Sequence, residues 1–199
     1  MKLKFSLFVG ALLLALMGSR AEAQNFNLGL EAGANFNNFI GSSVSGSSLT
    51  GSRLGFVGGG FLSLNFGNSF AIQPEVLYEQ KGGADTSNNT YQLDYIEVPV
   101  LLKLSLGTPV VNPGILLGPS FSWNTVAQVA NNGNTSAITN ANGSDVGFIL
   151  GAEIKFDKFL ITGRYELGFN NVVNAIGGSS TNNNIQNGTI TLMAGYSFM

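Results

Sequence analysis

From Phe26 to Phe36 the chain alternates without a break. Phe26, Leu28, Leu30, Ala32, Ala34 and Phe36 share one phase, and Asn27, Gly29, Glu31, Gly33 and Asn35 share the other. A period of two puts successive side chains on opposite faces of a strand, so the segment has one oily face and one polar face. The pattern returns in 54–66, 70–81, 91–105, 113–124, 145–156, 159–170 and 188–198, each near the roughly 9–11 residues with which a tilted strand crosses a bilayer. Connections alternate as well. Gly67 to Ser69, Leu106 to Asn112 and Asp157-Lys158 are short, whereas 37–53, 82–90, 125–144 and 171–187 are mostly long and rich in Ser, Asn, Gly and Thr. The pattern predicts an all-β fold, an eight-stranded antiparallel transmembrane β-barrel built as an up-and-down meander, with both termini on the short-turn side.

The N-terminus reads differently. Lys2 and Lys4 precede the apolar block Phe5 to Met17, and Ala21-Glu22-Ala23 supplies small residues in the order of a cleavage site. Residues 1–23 are therefore expected to be a cleaved signal peptide, and residues 24–199 the barrel domain. Removing Lys2, Lys4, Arg20 and Glu22 from nine basic and eleven acidic residues leaves six basic and ten acidic ones. Nothing in that balance invites nucleic acid. Beyond residue 24 no apolar run reaches the length of a spanning helix, so a chain crossing a bilayer here must do so as a closed sheet, in which every backbone polar group finds a partner.

Orientation follows from aromatics and charge. Phe26, Phe66, Phe70, Phe156, Phe159 and Phe198 stand on the apolar phase near the short turns, and Phe36, Tyr78, Trp123 and Phe169 near the loops, like the two interfacial girdles of a membrane barrel. Only 10% of residues are charged, a poor soluble surface. The apolar face is thus expected to meet outer-membrane lipid, placing the protein in the bacterial outer membrane. The polar phase then projects Glu31, Gln73, Glu75, Glu97, Lys103, Glu153, Lys155, Arg164 and Glu166 into a lumen just wide enough to be filled by side chains. Arg164, Glu31 and Glu75 lie about five residues above their short turns, a spacing that lets the guanidinium bridge carboxylates. Gly29, Gly33, Gly147 and Gly151 leave room on the same phase. Val57, Phe61, Leu77, Leu101, Ile149, Leu160 and Met193 are apolar on the polar phase and are read as interior packing or a bulge. Pro74, Pro99 and Pro119 fall within strands, where each predicts a bulge or a lost ladder bond.

Several chemistries lack their residues. The chain has no cysteine and no histidine, which removes disulfides, thiolate sites and the usual general base of hydrolytic barrels. Glu79, Asp85, Asp94 and Asp145 stand near the loop-side rim, but no nucleophile is visibly paired with them. Gly58-Gly59-Gly60 lacks the Lys-Ser/Thr and helix of a phosphate loop. Neither catalytic residue, nor cofactor, nor metal site is expected.

Tyr95-Ile96-Glu97-Val98-Pro99-Val100-Leu101-Leu102-Lys103, Leu117-Gly118-Pro119-Ser120 and Arg164-Tyr165-Glu166-Leu167-Gly168-Phe169-Asn170-Asn171-Val172 carry a resemblance. The chain resembles the PorT-like outer-membrane β-barrel family across nearly all of residues 24–199. The resemblance implies an eight-stranded antiparallel barrel of mostly uncharacterised function. One departure concerns assembly. Such barrels commonly end on an aromatic residue read by the barrel-insertion machinery, whereas this chain ends Tyr196-Ser197-Phe198-Met199. Tyr196 and Phe198 keep the outward phase and are the expected assembly signal.

The resulting expectation is a monomeric, non-enzymatic outer-membrane scaffold with a plugged ionic interior, an interior charge network of Glu31, Glu75, Glu97, Lys103, Glu153, Lys155, Arg164 and Glu166, and loops 37–53, 125–144 and 171–187 facing an extracellular or envelope partner. A narrow porin-like diffusion channel, an adhesion or secretion-system partner and a soluble lipocalin-like carrier are the alternatives.

Overall fold

The computed structural model describes residues 26–41, 51–84, 89–107, 111–131, 134–138, 143–170 and 185–198. The expected signal peptide, Asp85 and the greater part of loop 171–187 lie outside the described residues.

Nine strands follow one another: β1 (Phe26–Gly41), β2 (Gly51–Phe66), β3 (Phe70–Ala84), β4 (Thr90–Ser105), β5 (Val111–Asn131), β6 (Asn134–Ala137), β7 (Ser144–Phe156), β8 (Phe159–Gly168) and β9 (Ile185–Ser197). The antiparallel ladder runs β4-β3-β2-β1-β9-β8-β7-β5-β6, and β4 also pairs with β5. That last pairing closes the eight long strands into a barrel and leaves no edge within the wall. β6 stands outside the ring as the return arm of a hairpin on the far end of β5, pairing Gln128 with Ala137 and Asn131 with Asn134. Among the described residues no helix is long and apolar enough to cross a membrane, and the closed sheet satisfies the backbone instead.

The alternation sorts side chains as the pattern predicts. Leu28 and Leu192 are 46% and 58% exposed, while Glu31 and Arg164 keep only 3% and 6% of their surface. All six phenylalanines assigned to the short-turn girdle are exposed. Phe159 and Phe198 both stack edge-on against Tyr196, with ring centroids 5.3 and 5.7 Å away. A soluble carrier would turn this surface inside out.

The short turns rest on local chemistry. Gly67 (φ 69°) and Asp157 (φ 53°) adopt the left-handed backbone that lets a chain reverse in so few residues, which glycine does freely and aspartate tolerates. Two bulges interrupt the ladders, between Ser52 and Val57 on β2 and at Thr125 on β5, opposite Asp94 and Tyr95 of β4. None falls at a proline. Pairing instead lapses between Leu64↔Ile72 and Phe61↔Glu75 beside Pro74, between Pro74↔Val100 and Leu77↔Glu97 beside Pro99, and between Leu102↔Leu117 and Pro99↔Ser120 beside Pro119, with the register unchanged on either side. Of the two expected outcomes, each proline takes the lost ladder bond.

The long connections need correction. Residues 37–41 and 51–53, expected in loop 37–53, are strand, as are 125–131, 134–137 and 144 of loop 125–144 and 185–187 of loop 171–187. The ladders outlast the apolar alternation because above the bilayer the outer face no longer has to be apolar, so Asn, Thr and Gln serve on either side. Arg53 is accordingly a strand residue, not a loop residue.

Candidate functional site in the barrel lumen

The lumen is built in tiers along the polar phase. Nearest the short turns, Lys103 on β4 and Glu153 on β7 form an ion pair. Lys155, two residues nearer the turn, is half-buried, with Nζ 3.4 Å from Ser197 Oγ. Among the described residues it forms no salt bridge.

The next tier crosses the barrel. Arg164 on β8 donates from Nη1 to Glu75 Oε2 at 2.5 Å and from Nη2 to Glu75 Oε1 at 2.9 Å, a bidentate pair with β3 on the far side of β9, β1 and β2. Nη2 also reaches Glu31 Oε1 on β1 at 3.0 Å. Gln73 Nε2 donates to Glu75 Oε1 at 2.9 Å and fixes that carboxylate from its own strand. Planar, two-pronged donation suits arginine, because its fork matches a carboxylate.

Two apolar clusters accompany the ionic tiers. Val57, Leu77 and Met193 form one cluster and Leu101, Leu116 and Ile149 another. These six, with Phe61 and Leu160, are all buried. They are packing, and Val57 also borders the bulge that begins at Ser52.

The loop-side tier centres on Lys81. Its Nζ donates to Glu97 Oε2 and to Glu166 Oε2 at 2.5 Å each, and lies 3.1 Å from Glu79 Oε2. Ser122 Oγ donates to Glu97 Oε2 at 2.9 Å, and Ser120 Oγ to Glu166 Oε1 at 2.8 Å. Ligand oxygens of Glu79, Glu97 and Glu166 fall within 4.8 Å of one another, close enough for a metal ion. The Lys81 ammonium already occupies that position, so the chain supplies its own cation. Above it, Asn37 Nδ2 donates to Asn35 Oδ1 at 2.9 Å and Thr189 Oγ1 to Asn37 Oδ1 at 2.9 Å. Tyr78 donates its hydroxyl to Asp94 Oδ2 at 2.8 Å, Arg53 Nη1 lies 3.6 Å from Asp94 Oδ1, and Arg53 also donates to the Lys81 carbonyl.

Seven of the eight residues assigned to the charge network by sequence thus share in two ionic tiers and the Lys103–Glu153 pair, and Lys155 stands apart. Lys81 and Glu79 were missed as network members. Their signal was present: Gln73, Glu75, Leu77, Glu79 and Lys81 hold one phase of β3, but Lys81 closes the segment as read from sequence and Glu79 reads there as a rim carboxylate.

Glycines make the space. A Cβ on Gly147 would sit 2.7 Å from Ser120 Oγ and 2.8 Å from Glu166 Oε1, and one on Gly151 would sit 3.0 Å from Arg164 Cγ. Gly147→Val is therefore expected to push Glu166 off Lys81 and destabilise the barrel by about 1–3 kcal/mol, the usual cost of overpacking. The unfolding midpoint in urea measures it, and an unchanged midpoint would show that Glu166 has slack.

Chemically, the lumen offers carboxylates bonded to serines, as in Ser120–Glu166 and Ser122–Glu97, and both serines are buried, at 0% and 2% exposure. Asp145 serves the backbone: Oδ1 accepts from Asn170 N at 3.1 Å and Val146 N at 2.8 Å. At the other end Phe198 N donates to Leu28 O at 2.8 Å and Ser197 N to Lys158 O at 2.8 Å, which stitches the C-terminal strand between β1 and β8. Tyr196 and Phe198 remain exposed on the outer face.

A closed ring of eight strands, apolar outside and ionic within, defines a small transmembrane β-barrel of the bacterial outer membrane. The chain belongs to the outer membrane protein beta-barrel domain family, whose model matches residues 22–174. Among solved structures it is similar to Neisserial surface protein A, at 13% identity over 88% of this chain and 100% of that one, with a TM-score of 0.51. It is also similar to Ail, the attachment invasion locus protein of Yersinia pestis solved with the heparin analogue sucrose octasulfate, at 17% identity over 87% and 99% with a TM-score of 0.49. The outer membrane enzyme PagL follows at 12% identity over 81% and 98%, with a TM-score of 0.48. At such identities the likeness speaks to fold alone. No curated protein matches the sequence.

Proposed function

We propose that the protein is a closed, non-enzymatic scaffold of the outer membrane, whose lumen is locked by side chains and whose loop-side strand extensions present a surface outside the cell. The observation that carries this reading is the continuity of the plug. Arg164 bridges β8 to β1 and β3, Lys81 bridges β3 to β4 and β8, and two buried apolar clusters accompany them. A conducting path would have to break buried ion pairs, each costing several kcal/mol. One loop-side extension is the β5–β6 hairpin, whose residues Asn134–Ala137 are all exposed. The Tyr95 to Lys103 and Arg164 to Val172 segments support kinship with PorT-like barrels, and outward Tyr196 and Phe198 support recognition by the barrel-insertion machinery as a monomer.

Planar-bilayer recording tests the plug. Purified barrel is expected to give a flat baseline under applied voltage. Reproducible single-channel steps would favour the narrow channel instead.

A further inference from the structure

Below the Lys103–Glu153 pair the lumen widens into a cavity of about 580 Å³, within the size range of small-molecule sites. Gly67, Asn68 and Asn112 line it, which sets its mouth at the short turns, the periplasmic end of an outer-membrane barrel. Phe61 and Leu160 give it an apolar flank, and Ser63, Lys103 and Lys155 a polar one. Two lysines therefore line one cavity. Glu153 is committed to Lys103, and among the described residues Lys155 has no salt-bridge partner. A cation half-removed from water and held in no ion pair gains when an anion enters beside it. The barrel wall separates the cavity from lipid, so the anion comes from the aqueous periplasm. Its apolar flank selects against a bare inorganic ion.

We propose that this cavity binds a small water-soluble organic anion, with a carboxylate or phosphate head held at Lys155 and a short apolar group against Phe61 and Leu160. The site lies on the periplasmic side of the plug and is independent of conduction through it.

The test uses the full barrel in maltoside micelles, with phenyl phosphate as probe and backbone amide NMR as readout. Saturable shifts are expected at Ser63, Lys155 and Leu160. Lys155→Met is expected to weaken binding at least tenfold and Lys155→Arg to retain it, both variants showing the wild-type spectrum elsewhere. Inorganic phosphate and phenol, each carrying half of the probe, are expected to bind at least tenfold more weakly. No saturable shift in the wild type, equal affinity in Lys155→Met, or inorganic phosphate or phenol binding as well as phenyl phosphate would each overturn the proposal.

Discussion

Replacing Lys81 by methionine is expected to destabilise the barrel by about 3–5 kcal/mol, the cost of removing one partner from a buried ion pair. Here three carboxylates lose their shared cation at once. Glu79, Glu97 and Glu166 would face one another across a tier that keeps Ser120 and Ser122 as its remaining donors. The deficit should shrink as pH falls and the carboxylates take up protons, because a neutral carboxyl needs no counter-charge. Millimolar calcium should recover part of it at neutral pH, since oxygens within 4.8 Å of one another suit a hard cation once the ammonium is gone. Gel mobility of unboiled samples over a temperature series, at two pH values and with and without calcium, gives the numbers. A variant as heat-resistant as the wild type at neutral pH would mean that the Lys81 tier contributes no stability.

The second large effect concerns Arg164. Arg164→Met strands Glu31 and Glu75, both within 3% of full burial, and removes the link from β8 to β1 and β3. A loss of about 3–5 kcal/mol is again expected. Arg53→Met is the informative control. Arg53 is partly buried, and among the described residues its one ion pair is a 3.6 Å contact with Asp94 Oδ1, while Tyr78 donates to Oδ2 of the same carboxylate. Its removal should cost about 1 kcal/mol or less, in the range of exposed pairs. Equal thermal shifts in the two variants would remove the special status of the cross-lumen bridge.

The fold was legible because one physical constraint dominates it. Lipid on one side and a crowded lumen on the other force a period of two, and the chain writes that period in Phe26 to Phe36 and again in Asp145 to Phe156. Strand ends were not legible, since the constraint lapses above the bilayer. Asn37 is a buried lumen residue, yet nothing in its Asn-Asn-Phe context sets it apart from a loop. The charge tiers were half legible. Phase identified Arg164, Glu31 and Glu75, and burial then made their pairing nearly obligatory. Phase alone does not choose partners across a ring of eight strands, so the convergence of β3, β4 and β8 on Lys81 emerged only from closure through β4 and β5. The bulge opposite Asp94 and Tyr95 was invisible too, because its extra residue, Thr125 on β5, reads as the first position of loop 125–144.

The central claim is that oily alternate positions touch lipid while their neighbours fill the lumen. Methyl NMR of the barrel in nanodiscs containing lipids with a nitroxide on the acyl chain tests it within one residue type and without mutation. Leu28, Leu150 and Leu192 methyl signals should broaden strongly, and Leu77, Leu101 and Leu116 signals should stay sharp. The reverse pattern, or equal broadening in both sets, would contradict the account.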